Sequence, residues 1–331
     1  MRKKFYIILS FLILLCFLRF EESFHNRFVR CKNVLKTAYE RWEMHKPLVD
    51  ISNLERLQDD TCSWYVKYHV ISHAGGGING KCYTNSLEAW DYSYSRGNRV
   101  FDADLIFTSD SVLVLRHNWE DNLEDHKDEM SKSKVILDKN GHIQFLTKSI
   151  PMNYSQFKKT KIFYMYTPMS CYTMIQYMKT HKDLYIAVDM KGDAILKSYR
   201  ELVRIAKIGA SEDVLNRIIV NVYDYDILND ILKIYPFRNI VARQHYVHPN
   251  NYYELADFCL RNNIHVVNVS SCYAEDEGIQ ILHSKGIHTI VAVADYISDM
   301  KLYRKFGFTG CVSNWLYEDI WPLTNVDKDE K

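Results

Sequence analysis

Proline and glycine are scarce in this chain, 6 and 12 among 331 residues. That scarcity excludes a collagen-like repeat and a Pro/Gly-rich disordered chain. An excess of charge of one sign is missing too. Lys and Arg total 42 and Asp and Glu 41, for a net charge of +1. The broad basic footprint of a nucleic-acid binder is therefore absent, and nucleic acid is not an expected partner. The 8 cysteines contain no C-x-x-C pair, which argues against zinc and against a small disulfide scaffold. Most sit in apolar stretches and read as core; Cys31 and Cys62 could bridge in an oxidising compartment. The glycine run Gly75–Gly77 lacks both the G-x-G-x-x-G register of a dinucleotide loop and the Lys-Ser/Thr of a P-loop.

What is present is material for a sizeable core. Hydrophobic residues make up 47% and aromatics 14%, with 24 Tyr. One domain of about 250 residues with extensions would fit the length. At the N-terminus, Arg2, Lys3 and Lys4 precede an apolar run from Phe5 to Leu18. As a helix this run reaches about 21 Å, short of the roughly 30 Å hydrocarbon core. No small-x-small cleavage site follows. Residues 1–20 thus read as a signal anchor, with a cleaved signal peptide as the alternative. The body is expected to be exported, either membrane-anchored through this segment or secreted after cleavage. Basic residues flank the run on both sides, so the positive-inside count alone does not orient it.

Residues 21–64 are charged and have a helical pattern, read as a stalk or a helix packed on the body. From there, β-rich runs alternate with amphipathic ones. Strands are predicted at 66–72, 100–107, 184–190, 217–223, 239–244, 265–270, 288–294 and 310–315. Helices are predicted at 85–96, 193–208, 226–235, 250–262, 275–285 and 296–306. Eight strands with intervening helices predict an α/β fold, a (β/α)8 TIM barrel over 65–318. An open doubly wound sheet is the competing topology. Residues 118–165 break the rhythm and read as an insertion after the second strand unit; 319–331 read as a tail.

Barrel enzymes place their chemistry where strands end. Strand one ends at His73, and a short following strand, Val112–Arg116, ends at His117-Asn118. Asp102 and Asp104 alternate across Ala103, so both face one side of their strand. If that side is the interior, two carboxylates are buried together, and a divalent cation would offset the cost. Asp189 on a neighbouring strand could complete an all-oxygen site suited to Mg2+ or Ca2+. The alternative is pairing with Lys or Arg, or a face turned to the helices. His73 and His117 could serve as acid and base near neutral pH. Lys191 could hold an anionic oxygen, and Tyr223 and Trp315 stand at other strand ends as candidate substrate contacts.

These stretches together resemble the glycerophosphodiester phosphodiesterase family. The likeness is carried by Ile71-Ser72-His73-Ala74-Gly75-Gly76, Thr84-Asn85-Ser86-Leu87-Glu88-Ala89, Phe101-Asp102-Ala103-Asp104 and Thr108 through Asn118. Further on, Asp189-x-Lys191 is similar to the strand of the sphingomyelinase D-like branch, and Gly307 through Asn314 to the family's last strand. The resemblance implies a metal-dependent barrel hydrolase of a phosphodiester. On that carry-over His73 and His117 are the acid/base pair, Asp102, Asp104 and Asp189 the metal ligands, and Lys191 a phosphate contact. The implied substrate is a glycerophosphodiester, a phospholipid headgroup or a phosphodiester-linked surface polymer. Departures are Ala74 in place of the family's Arg, Asp102 in place of Glu, Asn118 after the second His, and Asn314 in place of Asp. Two other readings stay open: a catalytically impaired barrel that binds a phosphorylated glycan or lipid, and a phosphodiester transferase.

Overall fold

The structure is a computed structural model that describes residues 46–47, 49–119, 135–137, 143–145, 151–209, 211–223, 225–244, 251–271 and 278–325. The apolar N-terminal run and Cys31 lie outside the described residues. Among the described residues no helix is long and apolar enough to cross a membrane.

Eight parallel strands close on themselves. They are β1 (Val70–Ser72), β2 (Val100–Phe107), β6 (Tyr185–Met190), β7 (Ile218–Val222), β8 (Asn239–Arg243), β9 (Val266–Ser270), β10 (His288–Ala292) and β11 (Gly310–Ser313). Strand β1 pairs with both β11 and β2, which completes the ring and settles the topology as a barrel rather than an open sheet. A short strand β3 (Leu113–Leu115) folds back antiparallel on the far end of β2. Within the insertion, β4 (Val135–Leu137) and β5 (Ile143–Phe145) form a separate antiparallel pair.

The helices follow from their buried stripes. They are α1 (Trp64–Lys67), α2 (Leu87–Ser95), α3 (Tyr154–Lys159), α4 (Cys171–Thr180), α5 (Ile195–Ile208), α6 (Tyr225–Ile234), α7 (Tyr252–Arg261), α8 (Gly278–Ser284) and α9 (Ile297–Lys305). In α5, Ser198, Tyr199, Leu202, Val203, Ile205 and Ala206 are buried, a 3.6-residue repeat laid against the sheet. Ser86 caps α2 by accepting from the Ala89 N–H at 3.3 Å, and Ser170 caps α4 through the Thr173 N–H at 3.1 Å.

Strand alternation divides the barrel interior into two layers of opposite character. Ile71, Val100, Ala187, Ile219, Val241, Val266, Ile290 and Val312 form one apolar layer, one residue from each strand. Above it, toward the carboxyl ends, the same faces carry polar and charged residues. Below it, Trp64 joins the apolar cluster at 3% exposure and plugs the floor.

Three expectations are corrected. Of the segment expected as a stalk or a helix packed on the body, 21–64, the described residues 46–47 and 49–63 pack on the body without regular helix. They run over the barrel floor, with Leu57 N–H donating to Lys285 O at 3.0 Å and His288 Nε2 2.8 Å from Asp59 Oδ1. The charge spacing suggested a helix; among the described residues of this stretch helix begins at Trp64–Lys67, where Trp64 is buried under the barrel. The predicted strand 66–72 shortens to Val70–Ser72, since Trp64–Lys67 are helical. At the other end, the domain continues past 318. Glu318 accepts from the backbone of His69 and Val70, Asp319 pairs with Arg96, and Trp321 stacks on His69.

Replacing Trp64 by Ala opens the barrel floor and is expected to lower stability by about 3–5 kcal/mol, read as a shift in the urea midpoint with the slope unchanged.

Candidate active site

All the sequence-predicted polar residues except Trp315 converge within the carboxyl mouth of the barrel, and Trp315 walls it. Register explains the meeting. Asp104 on β2 lies directly opposite Asp189 on β6, and Asp102 shares the inward face two residues earlier. All three carboxylates are nearly inaccessible, with Asp102 at 4%, Asp104 at 1% and Asp189 at 9% exposure.

The charges are unevenly satisfied. Lys191 Nζ bridges Asp104 Oδ1 at 3.0 Å and Asp189 Oδ2 at 2.7 Å. Burial alone would raise the Asp104 pKa, but Lys191, His117, the Asn85 amide and His73 outweigh it and hold the carboxyl below its usual range. Asn85 Nδ2 donates to Asp104 Oδ2 at 2.9 Å. Tyr223 donates its hydroxyl to Asp189 Oδ1, and burial first of all pushes that phenol well above its ordinary pKa. Lys191 stays charged: burial pulls it down, but Asp104 and Asp189 pull it further up.

Asp102 has no such cation beside it. Its contacts are the Ala74 N–H at 3.5 Å and His73 Nε2 at 3.9 Å. Burial, then the fields of Asp104 and Asp189, push its pKa up to about 7. Among the described residues the three carboxylates face one ammonium and one guanidinium, that of Arg243 on β8, whose Nη2 is 3.8 Å from Asp189 Oδ2, which leaves one negative charge over among them. An all-oxygen donor set with a surplus buried charge fits a hard divalent cation. As the side chains stand, among the described residues no three of His, Cys, Asp or Glu converge to a coordinating group; Lys191 lies between Asp104 and Asp189.

The two histidines are each met at Nδ1 by an asparagine side chain. Asn314, at the end of β11, is gripped by Asp295: its amide Nδ2 donates to Asp295 Oδ2 at 2.9 Å and its backbone N–H to Oδ1 at 2.7 Å. A carboxylate can face only the amide NH2, so Asn314 Oδ1 turns to His73 Nδ1, 3.2 Å away. His73 must donate there, which leaves Nε2 bare and directed toward Asp102. Burial lowers the His73 pKa most, with Arg243 and Lys191 adding to the effect. Its neutral form, with a basic Nε2, is favoured. At His117 the Asn118 side-chain amide lies 3.2 Å from Nδ1.

The turn after β1 is shaped for close approach. Ala74 adopts φ 47° and Gly75 φ 87°, and a Cβ on Gly75 would come within 2.3 Å of the Trp90 ring. Gly77 faces Trp315 in the same way, and its N–H donates to Asn314 O at 2.7 Å. Trp315 thus walls the mouth on the β11 side. Tyr83 packs edge-on against His73 with ring centroids 4.6 Å apart.

Sequence reading missed Arg243, Asn85 and Asp295 as site residues. Arg243 was legible by parity: it lies two residues beyond Val241, which belongs to the inner layer. Asn85 and Asp295 lie in loops, where no periodicity assigns a face.

No family model matches the chain, and no curated protein matches it in sequence. Solved structures match it by fold. A candidate glycerophosphodiester phosphodiesterase from Galdieria sulphuraria superimposes with a TM-score of 0.61 at 15% identity, covering 78% of this chain and 98% of that one. A glycerophosphodiester phosphodiesterase from Parabacteroides distasonis gives 0.54 at 14%, covering 78% and 94%. A phosphodiesterase from Oleispira antarctica, solved with its product sn-glycerol-3-phosphate, gives 0.52 at 12%, covering 75% and 93%. The barrel is thus of the kind these phosphodiesterases share.

The surplus charge makes a prediction about stability. The folded-state pKa of Asp102 is raised, so the folded chain holds a proton that the unfolded chain has released between about pH 4 and 7, and stability falls as pH rises through that window. Asp102→Asn is expected to stabilise the metal-free protein by about 2–4 kcal/mol at pH 8 and by much less at pH 5, measured by urea unfolding at both pH values.

Proposed function

We propose that the chain is a divalent-cation-dependent phosphodiester hydrolase, with His73 as base and His117 as acid. The observation that carries this reading is the bare Nε2 of His73 beside the carboxylate cluster, with a second imidazole, His117, acting on the same carboxylates. One basic imidazole nitrogen and a second imidazole at one mouth are what acid/base cleavage of a diester needs. The fold likeness to glycerophosphodiester phosphodiesterases supports the same class.

A diester is an anion, and the described residues leave the mouth with one surplus negative charge. Binding therefore calls for added positive charge. Asp102, Asp104 and Asp189 would hold the cation, which supplies charge neutralisation for the phosphoryl oxygens. Lys191 and Arg243 orient the phosphate. His73 Nε2 takes the proton from the attacking oxygen, either water or a neighbouring hydroxyl of the substrate. His117 protonates the leaving alkoxide. Asn314, held by Asp295, keeps the His73 proton on Nδ1 throughout. The similarity of Asp189-x-Lys191 to the sphingomyelinase D-like branch suggests a cyclic phosphate product where the substrate bears an adjacent hydroxyl. Export and membrane anchoring through residues 1–20 belong to the same proposal, and would place the site among lipid or surface-polymer diesters.

The test is turnover of glycerophosphodiesters and lysophospholipids with Mg2+, Ca2+ or chelator. His73→Ala and His117→Ala are each expected to lower kcat by about 10²–10⁴-fold. Turnover untouched by chelator would remove the cation, and turnover surviving both substitutions would remove the acid/base pair. Silence on every diester, together with cation binding that needs Asp102 and Asp104, would favour the impaired-barrel reading. A new diester formed in the presence of a competing alcohol would mark a transferase.

A further inference from the structure

Beside the mouth stands a feature the chemistry does not use. Residues 161–166 form a tight turn after α3, bridged between Ile162 and Tyr166. Its tip is Phe163-Tyr164-Met165. Tyr164 is 67% exposed and Met165 56%, among the most exposed large apolar residues of the described chain. Phe163 and Tyr164 have φ of 49° and 61°, the left-handed region that glycine or asparagine adopts at much lower cost. A turn that only had to reverse the chain would use those residues. Phe163 packs back on the cluster of Val114, Phe157, Ile162 and Tyr166, whereas Tyr164 is held there with its side chain exposed, which the turn itself does not require.

The tip is tied to the catalytic end of the barrel. Tyr166 Oη donates to Ile78 O at 3.3 Å, and Lys81 Nζ sits 4.9 Å above the Phe163 ring. The 78–81 turn follows Gly77, whose N–H is fixed to Asn314, and precedes Tyr83, which touches His73. Among the described residues these two segments carry charge of one sign. Residues 151–169 include Lys158, Lys159 and Lys161 and no Asp or Glu; residues 74–87 include Lys81 and no Asp or Glu. All four lysines are exposed. Two acids of other elements meet them: Glu88 on α2 accepts from Thr167 N–H and Oγ1–H at 2.7 Å each at the base of the turn, and Asp110 accepts from Tyr154 N–H at 2.8 Å and Thr108 Oγ1–H at 2.7 Å at the start of α3.

We propose that the Phe163–Met165 tip and the ring of Lys81, Lys158, Lys159 and Lys161 dock the barrel mouth onto an anionic lipid surface. An apolar tip entering the headgroup boundary inside a basic ring is the arrangement that such surfaces select. Aromatic rings suit that depth because they are apolar with a polar edge. This deepens the phosphodiesterase reading by assigning the substrate as a membrane lipid presented at the interface, and it rests on that reading only for the chemistry.

The test uses the full chain, with its apolar N-terminal run in place, and a readout local to the tip. Hydrogen exchange is followed with phosphatidylcholine vesicles and with vesicles containing about 30% phosphatidylserine. Amides of 158–167 are expected to exchange about tenfold more slowly on the anionic vesicles. Tyr164→Ser with Met165→Ser should abolish that protection. The Lys158→Gln, Lys159→Gln and Lys161→Gln changes should weaken it about fivefold each. Turnover of a water-soluble diester should be unchanged in all of these variants, while turnover of vesicle lipid falls. Equal exchange on both vesicles, or protection that survives Tyr164→Ser/Met165→Ser, overturns the docking surface even if soluble diesters are cleaved. Protection that follows the tip while no diester is cleaved upholds the docking surface and removes the phosphodiesterase reading instead.

Discussion

Asp102, Asp104 and Asp189 point into the barrel because strand alternation and register leave them no other direction. Val100 and Ala187 lie two residues below on the same faces and belong to the apolar layer. Each step up the strand from a hydrophobic floor must therefore bring another inward side chain, and at these positions it is a carboxylate. Three carboxylates removed from water would ruin a small fold if left alone. Much of what surrounds them is explained by that cost. Lys191 is held between two of them, the Tyr223 hydroxyl and the Asn85 amide satisfy further oxygens, and Arg243 arrives from a third strand. What stays least satisfied is Asp102, whose pKa burial and the neighbouring carboxylates push up to about 7.

The apolar layer beneath makes this tolerable. It separates the charged mouth from the floor that Trp64 seals, so the charged cluster meets solvent only through the carboxyl end. Stability is concentrated in the lower half of the barrel and spent in the upper half. That division also confines polar substitutions with a functional meaning to a few inward positions near each strand's end.

Period and parity made most of this legible in the sequence. Runs of β-branched residues marked all eight strands, and the six predicted helices hold to within a few residues. The Asp102/Asp104 alternation put both acids on one face before any coordinates. Where the physics is not periodic, reading failed. The 46–63 segment is fixed by contacts with loops at the barrel floor, and its charged spacing mimicked a helix. Helix α4 was not marked, because the preceding polar insertion obscured where the next unit began. Asp295 acts through Asn314 from a loop, and only the three-dimensional hydrogen bonds show that it decides a proton's place on His73.

The departures from the family pattern look different once the neighbours are known. Ala74 brings no cation to the barrel mouth, but Arg243 enters it from β8, and its field acts on both His73 and Asp102. Asn314 lacks a charge, yet an amide clamped by Asp295 orients an imidazole by direction rather than by attraction. A carboxylate at 314 would stabilise the protonated ring, whereas the amide leaves His73 neutral and its Nε2 basic. The Asn314 amide, held by Asp295, thus fixes the ring proton on His73 Nδ1 and leaves Nε2 able to accept. A residue that reads in isolation as a loss of charge is, at 314, the assignment of a proton.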